Sequence, residues 1–407
     1  MRNTEMKQIR TFTVAACLAA FAASALAESP VHLSNRLRIG YDDNVYQAGE
    51  AKLPDGSTVK HDETDSFRIL EEIELLLNLN LPRTYLGLRY RPTLAWFSER
   101  EDDDTDFWHD LDLNFVQKFS PALSLSFSDT LRYSQLPELQ DDNFVVRQDD
   151  DNYYNSALAT LSYNIRPETR LDVSGRHILL RYTEDDHEND NYYSVVGGMT
   201  LRQQLASRTT LLGDLRYQTL VYDEADAAYN RDANSVFAGL GAEQTFNPKL
   251  IGSLRAGFEQ RQYDNDEFDD NSQPYGELSV TFLPSPATRL TGSASYSIYE
   301  SDISTFLSQN RTYLSLSFAH DFTAKLSFYA SGAYAINEYE ADYSLDAGAE
   351  DADENTILVS ARLSYRINRI NWIETGVQYV ELDSDIVNRE SYDRLRWDVI
   401  GWKIQLF

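Results

Sequence analysis

Apolar and polar residues alternate along most of this chain with a period of two. Within residues 85–97 the odd positions include Gly87, Arg89, Arg91 and Thr93, whereas the even positions are Leu86, Leu88, Tyr90, Pro92, Leu94 and Trp96. The same alternation recurs at 123–128 and at 356–367. A period of two places each set of side chains on one face of a β-strand. The chain is therefore predicted to be all-β, and a water-soluble sandwich and a membrane barrel would both show this alternation.

The connections between the alternating segments distinguish these two folds. Eight short turns, spaced 37 to 46 residues apart, lie near 82–83, 120–122, 166–168, 206–208, 247–249, 284–286, 323–324 and 368–369. Longer acidic segments lie between them, near 49–65, 100–106, 136–151, 184–190, 224–232, 264–272, 301–309, 340–354 and 384–391. Short periplasmic turns and long extracellular loops are typical of bacterial outer-membrane barrels. We therefore predict an antiparallel up-and-down transmembrane β-barrel of about 18 strands.

The first 27 residues have the pattern of a secretory signal peptide. Arg2, Lys7 and Arg10 precede an apolar run, and Ala25-Leu-Ala27 forms a cleavage signal. The predicted organisation is a signal peptide at 1–27 and a barrel domain at 28–407, which leaves about five residues before the first strand and no N-terminal plug. An alternative is a lipoprotein processing site that ends at Cys17, the single cysteine of the chain.

The charge and the hydropathy exclude other classes of protein. The formal net charge is −29, and removal of the leader, with three basic residues and one glutamate, gives −31. Nucleic-acid binding requires a basic face, so it is not expected. After the leader, no stretch approaches the apolar length of a membrane-spanning helix. The 26 tyrosines and 19 phenylalanines fit a barrel that is apolar only at alternate residues.

The segment at 38–46 reads Arg-Ile-Gly-Tyr-Asp-Asp-Asn-Val-Tyr. It resembles the opening strand of a family of bacterial outer-membrane β-barrel porins, some of which are associated with exopolysaccharide export. Over the rest of 33–407 the similarity rests on the hairpin period and the style of the loops. The resemblance implies a barrel in the cell outer membrane of a Gram-negative bacterium. Its expected partners are membrane lipids and lipopolysaccharide, the barrel insertion machinery and polysaccharide export components.

Clusters of carboxylates next to aromatic rings recur near the predicted loops, as in Asp-Asp-Asp-Asn-Tyr-Tyr at 149–154. The simplest interpretation is a solvated loop beside an aromatic girdle at the headgroup level. The predicted girdle consists of ten rings at loop-side strand ends: Tyr41, Trp96, Phe107, Trp108, Tyr133, Tyr153, Tyr193, Tyr217, Tyr275 and Tyr339. The alternative is binding of divalent cations by the loops. No cluster has the ligand spacing of an EF-hand loop, so no metal-binding or cofactor-binding residue is predicted.

The strand face opposite the apolar face is predicted to line a pore. The candidate pore-lining residues are Arg36, Arg38, Arg89, Arg91, Arg132, Arg216, Arg255, Arg289, Arg362, Arg366, Glu72, Glu74, Asp110, Asp112, Glu243, Glu277 and Glu374. Such charges can brace the inner wall, or they can orient passing solutes as charged rings do in channels. Glu71 and Asp129 fall on the lipid-facing positions, which predicts either a site near a membrane interface or a local bulge.

The predicted function is an outer-membrane pore for passive diffusion of small hydrophilic solutes, because barrels of about 16–18 strands leave an aqueous channel. One alternative is a dedicated polysaccharide-secretion or sugar-uptake pore, with lumen-side rings at Tyr85, Phe97, Tyr154, Tyr192 and Tyr299. Another is a structural or adhesive barrel. The acidic loops predict weak cation selectivity. Gly49 and Gly56 would permit the loop at 49–65 to fold inward as a constriction, and the sequence leaves its depth open. No Ser, Asp and His pattern predicts catalysis, so the chain is not expected to be an enzyme.

Overall fold

The structure is a computed structural model that describes residues 30–100, 104–134, 151–183, 189–223, 230–301, 306–341 and 350–406. The predicted signal peptide and the alternative lipid anchor at Cys17 lie outside these residues, so both stay predictions. Among the described residues, none belongs to a helix that is long and apolar enough to cross a membrane.

Twenty strands form in the described residues, and we number them β1 to β20 in chain order. They are β1 Val31–Asp42, β2 Glu50–Lys52, β3 Thr58–Lys60, β4 Ser66–Asn80, β5 Thr84–Phe97, β6 Thr105–Lys118, β7 Leu123–Ser134, β8 Asn152–Arg166, β9 Thr169–Tyr182, β10 Tyr192–Ala206, β11 Thr209–Tyr222, β12 Ala233–Asn247, β13 Leu250–Tyr263, β14 Asn271–Ser285, β15 Thr288–Glu300, β16 Phe306–Asp321, β17 Leu326–Ala341, β18 Ala352–Arg366, β19 Asn371–Ser384 and β20 Glu390–Gln405. The short strands β2 and β3 pair with each other in the first long loop.

The other eighteen strands close into one barrel. Each pairs antiparallel with the next along the chain, and β1 pairs with β4 on one side and with β20 on the other. Pairing of the first and last strands removes both sheet edges, so the described strands can satisfy their backbone hydrogen bonds within the sheet. The prediction of an eighteen-stranded up-and-down barrel is confirmed.

The eight short turns lie where the sequence predicts them. Between β12 and β13 the side-chain oxygen of Asn247 accepts a hydrogen bond of 2.9 Å from the amide of Lys249. The strand register shifts between Thr245 and Asn247 at this turn, and equivalent shifts occur in the β8–β9, β10–β11 and β14–β15 hairpins. Pro248 fixes φ at the turn, which favours this tight connection. One turn design is thus repeated around one end of the barrel.

Burial in this barrel is inverted relative to a water-soluble protein. Leu240 and Phe258 on the outer face are 74% and 66% exposed, whereas the interior residues Glu259 and Arg261 are 0% and 1% exposed. Large exposed apolar side chains together with buried charges fit a barrel whose outer face contacts lipid. The outer apolar positions are those that the alternation predicts.

The two predicted lipid-facing carboxylates stay on the outer face, and no bulge moves them inward. Asn35 Nδ2 on β1 donates a hydrogen bond of 2.8 Å to Glu71 Oε1 on β4. Asn155 Nδ2 on β8 donates one of 2.7 Å to Asp129 Oδ1 on β7. The expectation of a bulge is wrong at both positions. Each carboxylate instead accepts a hydrogen bond from an asparagine on a neighbouring strand, which reduces the free-energy cost of placing the carboxylate in lipid.

The topology makes a prediction about surface accessibility. An epitope tag inserted at Pro54-Asp55, at the tip of the β2–β3 hairpin, should be labelled by antibody on intact cells because the long loops lie outside. A tag at Glu168, in the short β8–β9 turn, should be labelled only after the outer membrane is permeabilised. Labelling of the second site alone on intact cells would mean that the barrel is inserted in the opposite orientation.

Candidate functional site in the barrel interior

Contacts between strands that are not neighbours in the sheet identify the interior face. The Arg216 guanidinium on β11 lies 4.9 Å from the Tyr275 ring on β14. Gln218 Nε2 on β11 donates to Glu300 Oε1 on β15 at 3.2 Å. Such contacts can form only across the inside of the barrel. The seventeen candidate pore-lining residues all lie on this face by strand parity, and their role in a pore stays a prediction.

The densest charge network joins the first and last strands of the barrel. Arg36 pairs with Glu72 at 2.8 Å and with Glu374 at 3.1 Å, so it connects β1 to β4 and β19. Arg38 pairs with Glu72 at 3.0 Å and with Asp398 on β20 at 3.2 Å. These four ion pairs cross four strands where the barrel closes. They brace the wall, as one of the two sequence interpretations predicts.

A second group extends this network toward the long loops, and sequence reasoning missed it. Asp42 is fully buried and accepts hydrogen bonds from Arg394 Nε at 2.8 Å and Nη2 at 2.7 Å. Arg396 lies 3.2 Å from the same carboxylate, and Arg68 pairs with Asp398 at 2.8 Å. Arg68 and Glu72 lie four residues apart on β4, so both side chains belong to the interior face. The alternation of the sequence could therefore have identified Arg68.

A bulge in the last strand changes which face of the sheet its arginines belong to. The β1–β20 register shifts between Ile39 and Gly40, and Val399 is the extra residue on β20. Before the bulge Arg394, Arg396 and Asp398 point inward, whereas after it the even positions of β20 point outward. A sequence reading that begins from the apolar set at the C-terminal end therefore assigns the arginines to the wrong face.

Glycines on the inner wall make room for these arginines. A Cβ atom at Gly40 would lie 3.2 Å from Arg68 Nε and 2.5 Å from the Trp397 carbonyl oxygen. A Cβ atom at Gly401 would lie 3.2 Å from Arg38 Cγ. Because side chains are missing at these two positions, both guanidinium groups can lie along the wall and reach Asp398, which is one strand away from Arg38 and two strands away from Arg68.

The neighbouring wall of β5, β6 and β7 carries further arginine–carboxylate pairs. Arg91 Nε donates to Asp110 at 3.0 Å, and Arg132 Nε lies 3.9 Å from the same carboxylate. Arg89 pairs with Asp112 one interior position nearer the short turns. This wall therefore continues the pattern of alternating positive and negative groups.

The opposite arc of the barrel contains smaller pairs. Arg255 lies 3.5 Å from Glu277, and Arg202, which is not among the seventeen candidates, pairs with Glu243. Away from this arc, at the closing seam, Lys403 contacts Glu74 at 3.4 Å. Three further candidates are exposed on the interior face: Arg289 on β15, Arg362 on β18, and Arg366, which donates to the Asn368 carbonyl at 3.1 Å.

The aromatic girdle is partly as predicted. Tyr41, Trp96, Phe107, Tyr153 and Tyr217 are exposed on the outer face. The structure places three other predicted girdle rings inside the barrel. Trp108 packs against a buried cluster, Tyr275 contacts Arg216, and Tyr339 is 1% exposed.

Of the five proposed sugar-stacking rings, Tyr85 lies at the short-turn end of the interior, where its hydroxyl donates to Asn78 Oδ1 at 3.1 Å. The other four do not present open faces to the lumen. Phe97, Tyr154 and Tyr192 point inward but are 2%, 5% and 3% exposed. Tyr299 lies against the Arg311 guanidinium, 5.7 Å from the ring centroid. These rings fill the loop-side end of the interior, and a sugar could not stack on them without displacing their neighbours.

The first long loop enters the mouth of the barrel only at its start. Val45 is 2% exposed and packs against the interior residues Leu70 and Phe97. The β2–β3 hairpin instead pairs with the loop-side end of β20 and so lies along the rim. At its tip, hydrogen bonds from the Ser57 hydroxyl and amide lower the pKa of the Asp55 carboxyl. This hairpin therefore does not form the inward constriction that the two glycines of the loop at 49–65 would permit.

More than half of the sequence matches a known protein family. Residues 180–400, more than half of the chain, match the family described as Putative beta-barrel porin 2. The chain belongs to this family. The predicted family resemblance, the outer-membrane location and the assignment as a porin are confirmed. The predicted link to exopolysaccharide stays a prediction.

Several solved structures are similar to this porin. OccAB3 of Acinetobacter baumannii has a TM-score of 0.44 and 14% identity, over 92% of this chain and 99% of that chain. OccK3 (OpdO) of Pseudomonas aeruginosa has a TM-score of 0.46 and 13% identity, over 93% and 96%. No curated protein sequence matches the porin significantly.

The charged walls of the porin enclose a cavity of about 500 Å³. We name it the arginine chamber. Its charged lining consists of seven arginines and three carboxylates: Arg36, Arg38, Arg68, Arg91, Arg132, Arg362, Arg396, Glu72, Asp110 and Asp398. A second cavity of about 280 Å³ lies next to it toward the short turns, lined in part by Arg89, Asp112 and Asn114. Arg91 and Arg89 are successive interior residues of β5, so the two cavities adjoin along this wall.

Proposed function

We propose that this porin is a passive pore for small hydrophilic solutes and that the arginine chamber makes its inner passage favour anions. The observation that carries the proposal is the excess of arginines over carboxylates in the chamber lining, seven against three. Counting Glu374, which pairs with Arg36 at the edge, still leaves an excess of three positive charges. Fixed wall charges of one sign raise the local concentration of ions of the opposite sign.

This proposal replaces the cation selectivity expected from the acidic loops. Charges at the mouth act in bulk solvent, where physiological salt screens them beyond about 8–10 Å. The chamber charges lie in a confined passage between protein walls, where screening is weaker. We therefore expect the chamber to determine which ions pass, and the loops to influence only the approach of ions at low salt.

Charge selectivity provides the test. In planar bilayers across a salt gradient, the reversal potential of the wild-type pore should indicate a preference for anions that persists as salt rises. Replacing Arg91 and Arg362 with glutamine should shift the reversal potential toward cations, because the chamber loses two positive charges. The matched control, Arg255 and Arg289 to glutamine, removes two interior charges outside the chamber and should give a smaller shift.

Two results would contradict the proposal. A pore that is strongly cation-selective at high salt would show that the chamber does not lie on the ion path. A barrel that inserts into the bilayer and never conducts would reject the passive pore itself.

A further inference from the structure

We infer that one wall of the arginine chamber is a binding site for a small hydroxylated carboxylate, of the chemical class of sugar acids. This inference rests on the proposed function, because it names the class of solute that the pore would carry. It depends on an arginine without a partner, on the hydroxyl groups beside it and on a gap in the wall next to it.

The wall is built from two rows of interior residues on β17, β18 and β19. In the first row, Tyr329 lies opposite Arg362, and Arg362 lies opposite Gly376. In the second row, Ser360 lies between Ser331 and Gln378. All six residues line the chamber. The two rows are adjacent along the strands, so the arginine and the hydroxyl groups face the same space.

Arg362 differs from its neighbours because its charge is not neutralised. Among the residues that the structure describes, it forms no hydrogen bond and no ion pair. The charged groups that act on it most strongly are Arg36 and Arg38, followed by Glu374 and Glu72. Those two glutamates are already paired with Arg36 or Arg38. An anion beside Arg362 would therefore relieve repulsion among three guanidinium groups without competing with a carboxylate of the wall.

The neighbouring residues indicate that the anion carries hydroxyl groups. The Ser331 and Ser360 hydroxyl oxygens lie 2.7 Å apart, and each can both donate and accept a hydrogen bond. The Gln378 amide in the same row offers a further donor and acceptor. A ligand with several hydroxyl groups can use all of these, whereas a simple inorganic ion cannot.

The shape of the wall leaves room for a compact ring or chain. Gly376 has no side chain next to Arg362, so the surface is recessed there. On the other side of Arg362, Tyr329 is 46% exposed on the interior face and also lines the chamber. The chamber volume of about 500 Å³ falls within the range of roughly 300–1,000 Å³ that is typical of small-molecule sites.

Arg362 has the geometry to bind the carboxylate of such a ligand. The planar guanidinium can donate two parallel hydrogen bonds to one carboxylate group. A phosphate monoester is a further anion that guanidinium groups bind, and the test therefore includes one as a competitor.

The experiment measures block of the open-channel current by galacturonate. The comparison solutes are galactose, which lacks the charge, acetate, which lacks the hydroxyl groups, and galactose 1-phosphate. Calorimetric titration of galacturonate into the folded, detergent-solubilised barrel measures the same binding without requiring conduction. The variants are Arg362→Gln, Ser360→Ala and the control Arg255→Gln, which removes an interior charge outside the chamber.

We expect half-block at a lower concentration of galacturonate than of any comparison solute. Arg362→Gln should raise that concentration roughly tenfold or more, since a charge-assisted hydrogen bond is lost. Ser360→Ala should raise it a few-fold, and Arg255→Gln should leave it unchanged. Equal block by galactose or acetate, stronger block by the phosphate ester, or no effect of Arg362→Gln would overturn the inference. Calorimetric binding without conduction would support this site and reject only the passive pore.

Discussion

Replacing Asp42 with asparagine is expected to destabilise the folded barrel by about 3–5 kcal/mol, the usual cost of removing one partner from a buried ion pair. Asp42 is fully buried and receives two hydrogen bonds from Arg394, and Arg396 lies 3.2 Å away. The two arginines are 2% and 6% exposed, so water cannot replace the lost carboxylate charge. The positive charges would then repel each other and the nearby Arg68.

Unfolding in denaturant, measured with the barrel in lipid vesicles, tests this expectation. Glu277→Gln is the matched control because it also neutralises one carboxylate of an interior ion pair. Glu277 lies 3.5 Å from Arg255 and its side chain is 49% exposed, so its loss should cost no more than about 1 kcal/mol. Similar losses for the two variants would show that the Asp42 network is solvated and contributes little to stability.

The second large effect is expected on the outer face. Leu240→Arg should destabilise the inserted barrel by about 2–4 kcal/mol, because an arginine at the membrane midplane must be buried in hydrocarbon. Leu240 is 74% exposed, and it lies at the middle of β12, which spans Ala233–Asn247. In the absence of lipid this side chain would face water, so the penalty depends on insertion into a membrane.

The matched control places the same arginine inside the barrel. Ser128 lies on the interior face near the middle of β7, and its substitution by arginine should cost much less, since the interior is polar. The fraction of folded barrel can be followed by the altered gel mobility of heated and unheated samples and by urea unfolding in vesicles. Equal losses for the two arginines would mean that the assignment of the two faces is wrong.

The sequence alone determined the number of strands, their positions and the face to which most side chains belong. These properties are local: a period of two fixes the faces of each strand, and turn residues fix where each hairpin reverses. The seventeen candidate residues lie on the interior face for this reason. The prediction that Phe107 and Trp108 both belong to the outer girdle is wrong for Trp108, since adjacent residues of a strand point to opposite faces of the sheet.

Only the tertiary structure decided how the interior charges are paired. Arg36 meets Glu374 because the barrel closes between β1 and β20, a contact that depends on the register of every intervening strand. The bulge at Val399 then turns Arg394 and Arg396 inward. Within the part of the chain that the structure describes, Arg362 is left without a partner because nearby carboxylates pair with other arginines. Strand periodicity contains no information on these non-local pairings, so the chamber emerges only when the sheet is closed.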